Sequence, residues 1–231
     1  MQIDMIPDRI PRFPDQIITP RSLLRAWHTD DAPRLRKAID ANLDYLLPWI
    51  PWAREEPTSF ETLTARLEGY ASSFATGPNW AYAVMSPDES ALLGGIGLHQ
   101  RIGPGGLEIG YWIDREYAGK GLATEVARAI TTTAFALDDI SHVEIRCDPN
   151  NLPSAAIAKR LGFQLIEILP NVGSTPAGTP RDLMVWRLER SGFLLQGTAT
   201  RRVTDLDTVL ADNCAAVDKP FGAAEKTGSA E

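Results

Sequence analysis

Between Tyr111 and Thr124 the chain reads Tyr-Trp-Ile-Asp-Arg-Glu-Tyr-Ala-Gly-Lys-Gly-Leu-Ala-Thr. The residue types are those of a strand, a glycine-bearing turn and the first turn of a helix. Backbone N–H groups in such a turn, from Ala118, Gly119, Lys120, Gly121, Leu122, Ala123 and Thr124, point the same way. The helix dipole adds about half a positive charge at the same place. Glycine lets the backbone approach a bulky anion closely, so a pyrophosphate is the natural ligand. A few hydrogen bonds to charged oxygens, at roughly 1.5–3 kcal/mol each, are enough to anchor a nucleotide-type ligand. The spacing lacks the Gly-Lys-Ser/Thr of a P-loop, and no Gly-x-Gly-x-x-Gly of a dinucleotide fold is present. A turn that only caps its helix remains the plain alternative.

Other reactive side chains read more soberly. Cys147 alternates with Val143 and Ile145 on one strand face, and no histidine is placed to activate it. A buried thiol is therefore expected there, not an acyl-carrying nucleophile. His28, His99 and His142 share no ligand spacing, and two distant cysteines, Cys147 and Cys214, form no metal or disulfide pattern. No metal site is expected.

The elements that must position these residues follow from periodicity and punctuation. A strand through Ser22–Trp27 leads to a helix capped around Thr29–Asp31, with Pro33 in its first turn and Ala32, Leu35, Ile39 and Leu43 at helical spacing. Trp and Pro crowd the segment Leu46-Leu47-Pro48-Trp49-Ile50-Pro51-Trp52, which a long helix cannot cross. A second helix is predicted over about 58–74. Three strands follow, at 80–85, 91–100 and 107–113, then a helix from the glycine turn to about 137. Next come a strand at 142–147, a helix at 152–161, a strand at 163–169, a loop over 171–180 and a last strand at 182–190. The fold class predicted is α/β (α+β in some schemes), a mixed, mostly antiparallel sheet of six to seven strands flanked by helices. Residues 1–190 are expected to form one domain. From 191 to 231 a tail is expected, with one weak helix around Val203–Val217 and a disordered end.

Length and composition agree with one soluble domain: 231 residues, 44% hydrophobic, 23% charged. A formal charge of −7 argues against a nucleic-acid partner, which needs a basic stripe. No stretch approaches the roughly 18 apolar residues that cross a bilayer, and the first residues carry no apolar leader core. A cytoplasmic protein without a membrane partner is expected, with a homodimer left open.

The segment from Tyr111 to Thr124 resembles the cofactor loop of the GNAT superfamily of N-acetyltransferases, Gln/Arg-x-x-Gly-x-Gly/Ala. Gly121 and Ala123 stand at the last two fixed positions, and Ala118 replaces the Gln/Arg. The resemblance continues in Leu107–Ile113, in Asn151-Leu152-Pro153-Ser154 and in Leu161-Gly162-Phe163, covering about 22–190. The Trp49/Trp52 segment and Arg181-Asp182…Trp186 resemble the ribosomal-protein N-terminal (Rim-type) branch. The resemblance implies acetyl-CoA as donor and direct attack by an amine on the thioester. It implies backbone pairing of the pantetheine arm by Tyr111, Trp112 and Ile113, and Asn151 beside that arm. Ser154 matches a serine kept near the cofactor sulfur, a candidate acid for the departing thiolate; capping its helix is the competing role. The tyrosine many relatives use as this acid is replaced by Ala158. Glu108 is a candidate base, one residue out of register with its counterpart and expected to sit at a bulge, and Glu144 is a second. The glutamate that Rim-type relatives carry past the Gly-Phe aligns with Gly173. Trp49 and Trp52 either wall the acceptor cleft or fill the core beside it, with the cleft preferred.

The acceptor implied is a primary amine, a peptide N-terminus or a small molecule. An attacking amine must be neutral. At about pH 7.5 roughly a third of an α-amino group is neutral, against only about a thousandth of a lysine. Without a confident base, the α-amino group is preferred. A non-catalytic acyl-CoA-binding sensor is the alternative from another class.

Overall fold

The computed structural model describes residues 13–176 and 178–200. The chain divides into two compact units, Met1–Gly192 and Phe193–Glu231, and everything below concerns the first. Of the second, only the continuation of a helix to Thr200 is described. The weak helix and disordered end expected after residue 200 lie outside the described residues.

Eight strands form one sheet: β1 (Gln16–Ile18), β2 (Leu23–Ala26), β3 (Asn79–Met85), β4 (Leu92–His99), β5 (Gly106–Ile113), β6 (His142–Cys147), β7 (Gln164–Ser174) and β8 (Pro180–Glu189). Their order is β1-β2-β3-β4-β5-β6-β8-β7. All neighbours are antiparallel except β5 and β6. The helices are α1 (Ala32–Leu46), α2 (Phe60–Thr76), α3 (Leu122–Phe135), α4 (Leu152–Arg160) and α5 (Arg190–Thr200). The mixed, mostly antiparallel sheet is as predicted, with one strand more than the upper expectation. The addition is β1, whose three residues are too few to show alternation.

The predicted loop over 171–180 is a correction. Strands β7 and β8 run through it, pairing Gly173 with Arg181 and Ser174 with Pro180. Only Thr175–Thr179 remains as the turn, closed by Thr175 N–H donating to the Thr179 carbonyl at 2.8 Å. Asn, Gly, Ser and Pro are loop formers in isolation, and here ladder pairing overrides them. The extra length is absorbed by a register shift between Leu169 and Gly173, with Asn171 at φ 56°.

Helices α1 and α2 pack on each other and against β2–β4, whereas α3 and α4 pack against β4–β6. Consecutive residues of β5 show the two faces. Trp112 joins the cluster of Trp27, Leu35, Ile39, Leu63 and Leu67 under α1 and α2, and Tyr111 reaches α4. Two polar ties fix the chain around the glycine turn. Fully buried Asn42 of α1 donates to Asp114 Oδ2 and accepts from Arg115 N–H, both at 2.8 Å. From the other side, Arg21 donates to the Lys120 carbonyl at 2.8 Å and to Glu125 Oε2 at 2.6 Å. Both bonds hold the path between β5 and α3.

Candidate active site

Strands β5 and β6 are paired only as far as Ile109 and Ile145. Beyond that point Gly110–Ile113 pair with β4 alone, and Arg146–Cys147 with β8 alone. Two parallel strands that part at the same end leave a wedge, and two cavities open onto it.

The first is a groove of about 330 Å³. Its floor is Tyr111, Trp112 and Ile113, and its far wall is Asn151, Ser154 and Ile157 of the α4 region. Its rim is the glycine turn, through Ala118, Gly119, Gly121, Ala123 and Thr124. Gly119 and Gly121 have φ of 73° and 82°, the left-handed region that favours glycine. No side chain caps the first turn of α3, so its N–H groups are available to an anion. The other two residues of the turn contribute backbone only. Leu122 is buried in the core. Lys120 folds back to donate to the Glu116 carbonyl at 2.7 Å. Beside the turn, a further cavity holds Arg128 and Arg160, and Arg160 donates to Thr124 Oγ1 at 3.0 Å. Neither arginine stands out in the sequence, because each is an ordinary exposed-helix residue until the fold brings it to the turn.

The second cavity, of about 510 Å³, lies against β6, β7 and β8. It shares Trp49, Ile50, Tyr111, Asn151 and Ser154 with the groove. At this shared wall the Tyr111 hydroxyl and Ser154 Oγ are hydrogen-bonded at 2.9 Å. Ser154 is therefore not the cap of α4. That role belongs to Asn151, whose side chain accepts Ser154 N–H at 3.2 Å and leaves the serine hydroxyl turned into the wedge. Burial pushes the Tyr111 phenol well above its ordinary pKa, with the Ser154 hydrogen bond pulling the other way. It stays protonated at neutral pH and remains a proton donor. Nothing in the sequence distinguishes this side chain; the glycine-turn motif points only to its backbone.

Glu108 lines the second cavity and is 8% exposed. Strand β5 keeps unbroken register with β4 and β6 at this residue, so the expected bulge is absent. Arg101 grips both carboxylate oxygens, at 2.9 and 2.5 Å. Glu144 is fully buried and takes guanidinium groups from Arg146 at 2.8 Å and Arg187 at 2.6 Å. It is not among the residues lining either cavity, which removes it as a base. Asp148, unnoticed in the sequence, is a buried carboxylate in the second cavity and accepts Asn150 N–H at 2.7 Å. Its position directly after the last residue of β6 was the available signal.

Cys147 is buried beside Val143 and Ile145, yet it also lines the second cavity. Burial pushes its thiol up, against the opposing pull of Ser154, which keeps it out of the reactive thiolate form. The Trp pair divides. Trp49 walls both cavities. Trp52 packs edge-on to Trp112 at 6.3 Å, with Arg66 over its ring at 5.7 Å, so the cleft expectation is corrected for Trp52. Among the described residues no group of three or more His, Cys, Asp or Glu is arranged to hold a metal, and no helix is long and apolar enough to cross a membrane.

Residues 21–164 match the Acetyltransferase (GNAT) domain. The chain belongs to the GNAT acetyltransferase family. Bacillus subtilis (strain 168) YdaF, provisionally named a ribosomal N-acetyltransferase, is 33% identical over 149 residues, 61% of this chain and 76% of the relative. The [ribosomal protein uS5]-alanine N-acetyltransferase of Escherichia coli (strain K12) is 26% identical over 152 residues, 64% of this chain and 78% of the relative. In fold, the GNAT chain resembles RimL, a ribosomal-protein alpha-N acetyltransferase solved with coenzyme A, at a TM-score of 0.70. The two are 22% identical, over 77% of this chain and 99% of that one. This GNAT protein is an acetyl-CoA-dependent N-acetyltransferase acting on an amine. The non-catalytic sensor reading is not favoured.

Proposed function

We propose that the enzyme acetylates the α-amino group of a protein or peptide N-terminus by direct transfer from acetyl-CoA. The observation that carries this reading is the meeting of the two cavities at the Tyr111–Ser154 hydroxyl pair. A donor in the groove and an acceptor in the second cavity both reach that pair. The donor pyrophosphate lies on the turn Ala118–Thr124, with Arg128 and Arg160 neutralising its phosphates. Tyr111, Trp112 and Ile113 offer unpaired strand edge to the pantetheine arm, beside Asn151. The neutral amine nitrogen attacks the thioester carbon, the C–S bond breaks, and Ser154 protonates the departing sulfur as Tyr111 passes its own proton to Ser154 and takes one back from water.

On the acceptor side Glu108, with Asp148 in the same cavity, takes the proton the amine loses. Both carboxylate oxygens of Glu108 are already engaged by Arg101, so the reading does not lean on it to strip a proton from a fully charged amine. An α-amino acceptor, already roughly a third neutral near about pH 7.5, needs no such help. A lysine acceptor does. A cytoplasmic location belongs to the same reading, since the Escherichia coli relative is named for a ribosomal protein.

The test compares kcat/KM for peptides with free N-termini against N-blocked peptides that carry a lysine. Free N-termini are expected to be preferred by at least about a hundredfold, within the roughly three-hundredfold ratio of neutral fractions. Preference for the blocked lysine peptides refutes the reading, and activity confined to small amines replaces it with a small-molecule acceptor.

A further inference from the structure

The second cavity carries more positive than negative charge, and its arginines are not equally neutralised. Arg101 is closed on Glu108, and Arg146 on Glu144 at 2.8 Å with Glu108 at 3.8 Å. Arg54 and Arg181 differ. Arg54, in the 3-10 turn Pro51–Glu55, donates to the Ser174 hydroxyl at 3.1 Å and to the Ser174 carbonyl, both neutral oxygens. Arg181 of β8 donates to the Pro48 carbonyl at 3.1 Å. Its nearest carboxylate, Asp148, is 3.9 Å away, outside hydrogen-bonding reach. The Arg181 side chain is only 13% exposed. Room for it comes from Gly173, its partner in the β7–β8 ladder, where a Cβ would stand 3.1 Å from Arg181 Nε.

A guanidinium withdrawn from water without a bonded carboxylate is held at a cost that an incoming anion offsets. Both arginines line the cavity that ends at Tyr111 and Ser154, so an amine at that pair and an anion at these arginines fit one molecule. We propose that the cavity selects peptide N-termini bearing an acidic side chain within their first few residues, with the carboxylate held between Arg54 and Arg181. This rests on the α-amino reading above. The chain as a whole carries a charge of −7, so the excess of arginine in this cavity is a local feature.

The test measures kcat/KM for short free-N-terminus peptides with Asp or Glu near the start, against the same peptides with Asn or Gln. Wild type, Arg54→Gln, Arg54→Glu and Arg181→Gln are compared. Wild type is expected to prefer the acidic peptides by about tenfold or more, the worth of one charge-assisted hydrogen bond. The preference falls towards unity in Arg54→Gln and Arg181→Gln, and Arg54→Glu shifts it to peptides with a lysine in place of the acid. Arg181 also ties down Pro48, so if Arg181→Gln fails to fold, the two variants of exposed Arg54 decide. Equal kcat/KM for acidic and amide peptides in wild type overturns the anion selection and leaves the α-amino reading standing. Acetylation of free acidic amino acids but of no peptide overturns both.

Discussion

The groove along the glycine turn and the second cavity meet at one hydroxyl pair but are built from different materials. The groove is made of backbone: two glycines at positive φ, an uncapped helix start and a strand edge released where β5 leaves β6. The cavity is made of side chains from stretches far apart in the chain, with Arg54, Glu108, Asp148 and Arg181 brought together by the sheet. Backbone can bind only what all donors of one class share, a phosphate chain and an amide arm. Side chains can be exchanged one at a time, so acceptor choice is where members of such a family are free to differ. Removing a wall of the groove should therefore abolish all acetylation alike, and changing the cavity should alter which amine is taken.

The largest effect is expected where the two meet. Ser154→Ala should lower kcat about 10²–10⁴-fold, the usual range for a lost general acid, with KM for acetyl-CoA little changed. A kcat within about twofold of wild type would leave Ser154 no catalytic part. Tyr111→Phe keeps the ring and removes the hydroxyl, and should cost less, about tenfold, because Ser154 can still draw a proton from water. An equal loss in both variants would make the phenol the acid itself.

Next comes the groove alone. In Gly121→Val the new Cβ meets nothing nearer than Arg21 Nη2 at 3.6 Å, so the chain should fold despite strain of about 1–3 kcal/mol at this φ. KM for acetyl-CoA should rise at least about tenfold, as expected for one lost charged hydrogen bond. KM for the peptide should stay put. Unchanged donor affinity in the folded variant would remove the pyrophosphate from this turn.

The two tryptophans sharpen the contrast at smaller scale. Trp49→Ala should raise KM for both substrates several-fold, since it walls both spaces. Trp52→Ala should cost about 3–5 kcal/mol of stability, read by denaturant unfolding, and leave both KM values close to wild type. The smallest effect is expected at Cys147. Cys147→Ser should keep kcat within about twofold, because a thiol that burial holds protonated is a poor nucleophile. An acetyl group trapped on Cys147 and seen by mass spectrometry would overturn direct transfer.

The same division decides what could be read before the fold was known. Gly119 and Gly121 announce themselves, since a left-handed turn before a helix is a local demand that a short stretch must satisfy alone. Long alternating strands and the helix on Ala32, Leu35 and Ile39 were legible for the same reason. The hairpin of β7 and β8 was not, because Asn171, Gly173 and Ser174 take strand form only through pairing with distant residues. Tyr111 was visible as strand backbone, while the direction of its hydroxyl depends on where α4 lies. Trp49 and Trp52, three residues apart in one Pro-rich segment, gave no sign of which would face the wedge. Arg54 and Arg181 are 127 positions apart by their numbers, and no spacing rule joins them.

The parting of β5 from β6 has a kinetic consequence. On the proposed roles, two cavities that share one hydroxyl pair hold donor and acceptor together, and neither product must leave before the other substrate binds. Initial-rate lines at varied acetyl-CoA and fixed peptide should therefore intersect instead of running parallel. Coenzyme A should compete with acetyl-CoA, and acetylated peptide with peptide.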